Sequence, residues 1–246
     1  MIQTAELGPS GISSARATTI DRVRLRNVIV ALIFASLICL GMLAVRALVS
    51  SKLERTGFSY NLLLAWIPLV LSLAICRLLD RSAPAWMLAV LLALWVLFFP
   101  NAPYIVTDLV HLKTRPPVPR WFDYIFMMAH AITGLFLAYL SLALLQARIR
   151  ERWGVWRAWL FVFLMLSAAS LGVYVGRFFR WNSWDVLLRP EKPARDLARF
   201  FQGDTLQQAL LFCSAFLSLL AMVYLVLHAL AHLHAPDERE TRSPRG

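Results

Sequence analysis

The chain has 246 residues, of which 59% are hydrophobic and only 16% are charged, and its mean hydropathy is +0.63. A soluble domain is about 45–50% apolar and about 25% charged, so this composition excludes a disordered chain, a disulfide-stapled mini-protein and an ordinary soluble enzyme, and points to a bilayer as solvent. Lys and Arg outnumber Asp and Glu by 25 to 14, a net charge of +11. Most of that excess lies in short gaps between apolar runs, which suits head-group contact and topology control and gives no reason to expect nucleic acid.

Residues 1–27 are polar and read as a cytoplasmic tail without fixed structure. They lack an apolar signal-peptide core, so the first apolar run is expected to stay as an anchor. Six runs are then long enough to cross about 30 Å of hydrocarbon as helix: residues 28–49, 60–76, 84–99, 122–145, 158–175 and 206–233. Arg46 lies near the far end of the first, where a long side chain can snorkel to the interface. Pro84 suits the first turn of the third. Pro100 and Pro103 break the chain after that run, and residues 104–112 read as a short re-entrant or interfacial helix, with Asn101 or Ala102 near its cap. Trp153 and Trp156 flank a basic gap as interfacial anchors. Before the sixth run, residues 193–201 place Leu197, Phe200 and Phe201 at helical spacing beside Arg195, Asp196 and Arg199, as in a helix lying on the membrane surface. Residues 234–246 form a polar tail. Cys39, Cys76 and Cys213 fall inside apolar runs and read as small hydrophobes. The expected fold is therefore an all-α, six-span integral membrane protein whose membrane domain covers 28–233. The Lys and Arg count divides almost evenly between the faces; the cluster Arg22, Arg24 and Arg26 beside the first span favours cytoplasmic termini.

Six spans impose a parity rule: the gaps after spans one, three and five share one face, whichever way the protein is oriented. The unusual polar residues collect there. Asn61 opens span two. Asn101, Tyr104, Asp108 and His111 follow span three. Asp123 opens span four. Arg177, Arg180, Trp181, Asn182, Ser183, Trp184 and Asp185 close span five. Four segments remote in sequence thus bring acid, base, amide and guanidinium groups to one membrane face, the strongest functional signal in the chain.

Asp108 and His111, separated by three, can share a divalent metal or form an acid–base pair in which the carboxylate orients the imidazole; they can equally cap or salt-bridge at the interface. Arg177 and Arg180 suit a phosphate or carboxylate, or Asp108, Asp123 and Asp185 as internal partners. Trp181 and Trp184 can anchor the interface or line a sugar or head-group site. His130, seven residues after Asp123, reads as a relay group or as a helix–helix contact; Thr133 and Gly134 read as close-packing positions. His228, His232 and His234 fall at the opposite face and outside this cluster. No GxGxxG, GxxxxGK, HExxH or GxSxG motif is present, so nucleotide, zincin or hydrolase-elbow chemistry has no support.

At these residues a family resemblance enters. FPNAPYIVTDLVHL, from Phe99, and GRFFRWNSWD, from Gly176, resemble hallmark segments of a mainly bacterial family of multi-pass membrane proteins, the domain of unknown function numbered 1361. NLLLAWIP from Asn61 and WFD from Trp121 fit the same pattern, and the resemblance covers roughly residues 58–230. It implies a polytopic location in the bacterial inner membrane and brings no reaction with it. The residues themselves suggest a membrane-embedded enzyme or binding protein for an anionic head group or lipid-linked substrate. In that reading Asp108, His111 and Asp123 are candidates for chemistry, with Asp108 and His111 also candidate metal ligands. Asn61, Asn101, Tyr104, Arg177, Arg180, Trp181, Asn182, Trp184 and Asp185 would bind the substrate. A small transporter or permease subunit, and an assembly partner of a membrane complex, are the alternatives.

Overall fold

The computed structural model describes residues 9–50, 56–111, 118–180 and 203–232, all helix apart from short connections. Its elements are α1 (Pro9–Ser50), α2 (Thr56–Asp80), α3 (Ala85–Phe98), α4 (Asn101–Thr107), a 3₁₀ turn (Asp108–His111), α5 (Arg120–Trp153), α6 (Val155–Phe178) and α7 (Gly203–His232). Six crossings are long and apolar enough to span a bilayer, and the third consists of α3 and α4 in series, Ala85–Thr107. A bilayer leaves no water for backbone polar groups, so apolar runs of this length satisfy them internally as helix.

The expected spans and the helices agree in number and order. The ends differ in an instructive way. Residues 9–27, expected as an unstructured tail, belong to α1. Once the apolar run has formed a helix, each added residue costs little.

The helix after span three also begins earlier than expected, at Asn101, and by Asp108 it has tightened into a 3₁₀ turn. Pro100 occupies its N-cap position. Pro103 falls within the first turn, where backbone N–H groups have no helical partner and a missing one costs nothing. The Phe99 carbonyl instead accepts from the Ala102 N–H at 3.3 Å. α4 is wedged against α2, α5 and α6, with Ala102, Pro103, Ile105 and Thr107 buried. Two glycines permit that approach. A Cβ on Gly134 of α5 would lie 2.8 Å from the Ala102 carbonyl oxygen, and one on Gly172 of α6 would lie 2.6 Å from the Pro100 ring.

α5 is the hub. It is 56% buried over its crossing, and no other crossing exceeds 39%. Because lipid tails compete equally well for apolar side chains, helices in a bilayer are selected by close packing and interhelical hydrogen bonds. Trp95 Nε1 donates to Ser141 Oγ at 3.1 Å, tying α3 to α5. Trp66 Nε1 donates to Ser36 Oγ at 3.1 Å, tying α2 to α1. The Tyr139 hydroxyl donates to the Leu220 carbonyl at 3.0 Å, and the Tyr224 hydroxyl to Gln146 Oε1, tying α5 to α7. The three cysteines are free thiols. The expected surface helix at 193–201, His234 and the tail at 234–246 lie outside the described residues.

Candidate functional site

Asp108 sits where α4 tightens into the 3₁₀ turn. Its Oδ2 accepts from Asn61 Nδ2 of α2 at 3.0 Å, and its Oδ1 lies 3.3 Å from Arg177 Nη2 of α6. The same guanidinium nitrogen donates to the Thr107 carbonyl, the C-terminal end of α4 being where a cation is favoured. The Arg177 guanidinium carbon lies 5.2 Å from the Tyr104 ring centroid, a cation–π distance. Thr107 Oγ1 donates back to the Tyr104 carbonyl at 2.7 Å, holding the turn. Three crossings therefore meet at one level, as the parity rule requires.

The cluster is not sealed: 14% of the Arg177 side chain and 12% of that of Asp108 are exposed. Asn101, the first residue of α4, and Tyr104 are half-buried. Arg180 follows three residues after Arg177. It is exposed and takes the left-handed conformation (φ 55°), closing the C-terminus of α6.

Asp123 belongs to a different arrangement. Its Oδ1 lies 2.8 Å from Arg46 Nε of α1, with both side chains buried. The expectation that Arg46 snorkels outward is therefore wrong. Its side chain turns into the bundle because a carboxylate from α5 stands at the same level, and a paired charge inside the protein is less costly than a lone one in hydrocarbon. Sequence reasoning missed this pair, although one signal was available: an arginine inside an apolar run and an acid at the start of another, assigned by parity to the same end.

His130 is fully buried two turns further along α5. Its Nδ1 lies 2.8 Å from the Phe126 carbonyl and its ring packs 4.3 Å from the Phe126 ring. Cys39 and Thr133 meet across α1 and α5 at 3.6 Å, and Gly134 receives α4, so both close-packing readings hold. At the opposite end His228 packs on Trp159, 4.9 Å between ring centroids, and on Tyr224.

Both Asp108 oxygens are engaged by protein groups, and among the described residues no cluster of three His, Cys, Asp or Glu side chains could hold a metal. The side chains of His111 and His232, and the whole of Trp181, Asn182, Ser183, Trp184 and Asp185, lie outside the described residues.

Six apolar crossings among the described residues, with α5 the most buried of them and polar side chains gathered at helix ends, define a polytopic α-helical membrane protein. A family model described as Protein of unknown function (DUF1361) matches residues 60–223, and the chain belongs to that family. The match runs from α2 into α7 and leaves α1 outside it. Among curated proteins and among solved structures nothing matches.

Proposed function

We propose that the Asp108–Arg177 cluster is a binding site for an anionic head group, free or lipid-linked, at one membrane face. The observation that carries this reading is the partial exposure of an ion pair whose guanidinium is held in place from three sides. Thr107, Asp108 and the Tyr104 ring orient Arg177 before any ligand arrives. A phosphate or carboxylate can then take up the N–H groups that Asp108 leaves unused, since one guanidinium carries five donors. Asn61 fixes Asp108 so that the carboxylate need not move when a ligand joins.

Asn101, Arg180, Trp181, Asn182, Trp184 and Asp185 are further contacts for the same ligand by their place in the chain. A chemical role for Asp108, with His111 as metal ligand or base, is the stronger version of the proposal. In a bacterial inner membrane with both termini cytoplasmic, the site would face the periplasm. Channel or carrier function has less support: the mid-depth polar groups of α5, Ser141 and His130, engage Trp95 and the Phe126 carbonyl.

Calorimetric titration of the detergent-purified protein with short-chain phosphatidic acid, and with the matching phosphatidylcholine as control, tests the binding. Wild type is expected to prefer the anionic lipid, and Arg177→Gln to weaken that binding about 10–100-fold, the value of a charge-assisted hydrogen bond. Equal affinities of wild type and Arg177→Gln would remove the proposal. Asp108→Asn and His111→Ala, assayed together for rescue of a deletion phenotype, test the chemical version, which fails if both rescue fully.

A further inference from the structure

At the end of the bundle opposite Asp108, helices α1, α5, α6 and α7 leave a crevice of about 910 Å³ between them. Leu32 of α1, Leu140 and Ala143 of α5, Trp159 of α6 and Leu227 of α7 are among its walls. Along α5 it reaches from Phe136 to Glu151, roughly 22 Å at 1.5 Å per residue. That is longer than one leaflet of a hydrocarbon core about 30 Å thick. Every wall residue belongs to one of the helices that form the crossings.

Its polar groups sit toward one end. Gln146, Arg150, Glu151 and His228 gather near the α5–α6 connection, while the deeper wall toward Phe136 is mainly apolar. An apolar space of this size holds water poorly, and left empty it forfeits the dispersion contacts of its lining. The charges at the mouth are uneven. Glu151 is taken by Arg148 at 3.4 Å, and Arg148 also holds Asp80 at 2.9 Å. Arg150 makes no ion pair among the described residues and is exposed. Arg152 and Arg157 lie close by in sequence, both exposed. The mouth is cationic and the interior is apolar.

We propose that this crevice binds one anionic glycerophospholipid, with its acyl chains along Leu140 and Ala143 and its phosphate on Arg150. A lipid fits where a soluble ligand does not, because the deeper walls are mainly apolar and Arg150, which makes no ion pair among the described residues, stands at the mouth. The lipid would fill the gap that α1 and α7 leave beside α5, which would make it a structural part of the bundle. The site is independent of the Asp108 cluster at the other end.

Native mass spectrometry of the full chain, released from detergent with equal amounts of phosphatidylglycerol and phosphatidylcholine of the same chain length, tests it. Measured in an Arg177→Gln background, so that anionic lipid at the opposite face does not contribute, one retained lipid per protein is expected, with phosphatidylglycerol favoured about tenfold or more. Arg150→Gln should abolish that preference while a lipid is still retained. Ala143→Trp fills the crevice and should remove the retained lipid of either kind. Ala147→Phe, on an exposed part of the same mouth, repeats that test should Ala143→Trp fail to fold. In that background, retention that survives both filling variants would overturn the proposal, as would equal retention of the two lipids. A lipid-free dimer dissociated by the filling variants would also overturn it, since the crevice would then be a contact between copies.

Discussion

Arg46 and Asp123 meet at 2.8 Å with 1% and 0% of their side chains exposed, whereas Arg177 and Asp108 meet at 3.3 Å with 14% and 12% exposed. Both pairs join a guanidinium to a carboxylate at the same end of the bundle. The first pins α1, which lies outside the family match, to the central α5. The second has an amide on one side, an aromatic ring on another and an opening on the last. A charge pair enclosed by protein can only hold helices together, because no ligand reaches it. A pair with part of its surface open can exchange or share a partner. Burial, more than residue type, separates the enclosed pair from the pair proposed to bind a ligand.

The largest expected effect comes from breaking the sealed pair. Arg46→Ala removes the guanidinium that stands 2.8 Å from buried Asp123 and should lower stability by about 3–5 kcal/mol, read as a fall in thermal unfolding temperature in detergent. Arg46→Met combined with Asp123→Leu should recover most of that loss, because an apolar pair of similar volume restores packing without charge. If the double variant is no more stable than Arg46→Ala, Asp123 does more than hold α1.

Dislodging α4 comes next. Gly134→Val pushes against the Ala102 carbonyl, a backbone atom that cannot rotate away, at an expected cost of about 1–3 kcal/mol. Asp108 is carried on the turn that follows α4, so head-group binding should fall together with stability. The sealed pair should be unaffected, and α1 should stay docked by cysteine cross-linking between α1 and α5.

Opening the exposed pair should cost less. Arg177→Gln is expected to lower stability by about 1–2 kcal/mol while weakening anionic ligand binding by the larger factor given above. A variant that lost stability as heavily as Arg46→Ala, with binding unchanged, would make the two pairs equivalent and end the distinction. Smallest of all is Asn61→Ala, which frees one oxygen of Asp108 and should cost about 1 kcal/mol. It sharpens the contrast if binding falls further than stability does, since Asn61 then acts by orienting Asp108.

Much of this was legible along the chain. The six crossings follow from apolar length, and parity alone puts Asn61, Asp108 and Arg177 at one level. The family that the chain resembles is the one whose model matches residues 60–223. Less legible were the partners. Asp123 reads as a member of the same cluster because it shares that level, and Arg46 reads as a snorkelling side chain because it ends an apolar run. Neither reading contains the fact that α1 and α5 are neighbours. The short helix at Asn101–Thr107 was placed three residues late because Pro103 reads as its start, although Pro100 already fills the cap. The crevice beside Arg150 left no mark in the sequence, since it is a gap between four helices and no one of them encodes it.

The sequence by itself determined depth. In a helix each residue advances by a fixed rise, so an apolar run of known length assigns every side chain a level in the bilayer. It could not determine direction around the helix axis, because lipid and protein are equally apolar neighbours and the pattern of hydrophobic residues no longer distinguishes an inner face from an outer one. That choice was made by Gly134 and Gly172 receiving α4, by Trp95 reaching Ser141 and by Arg46 finding Asp123. Only the packed bundle therefore decided which of two similar charge pairs was enclosed and which was left open.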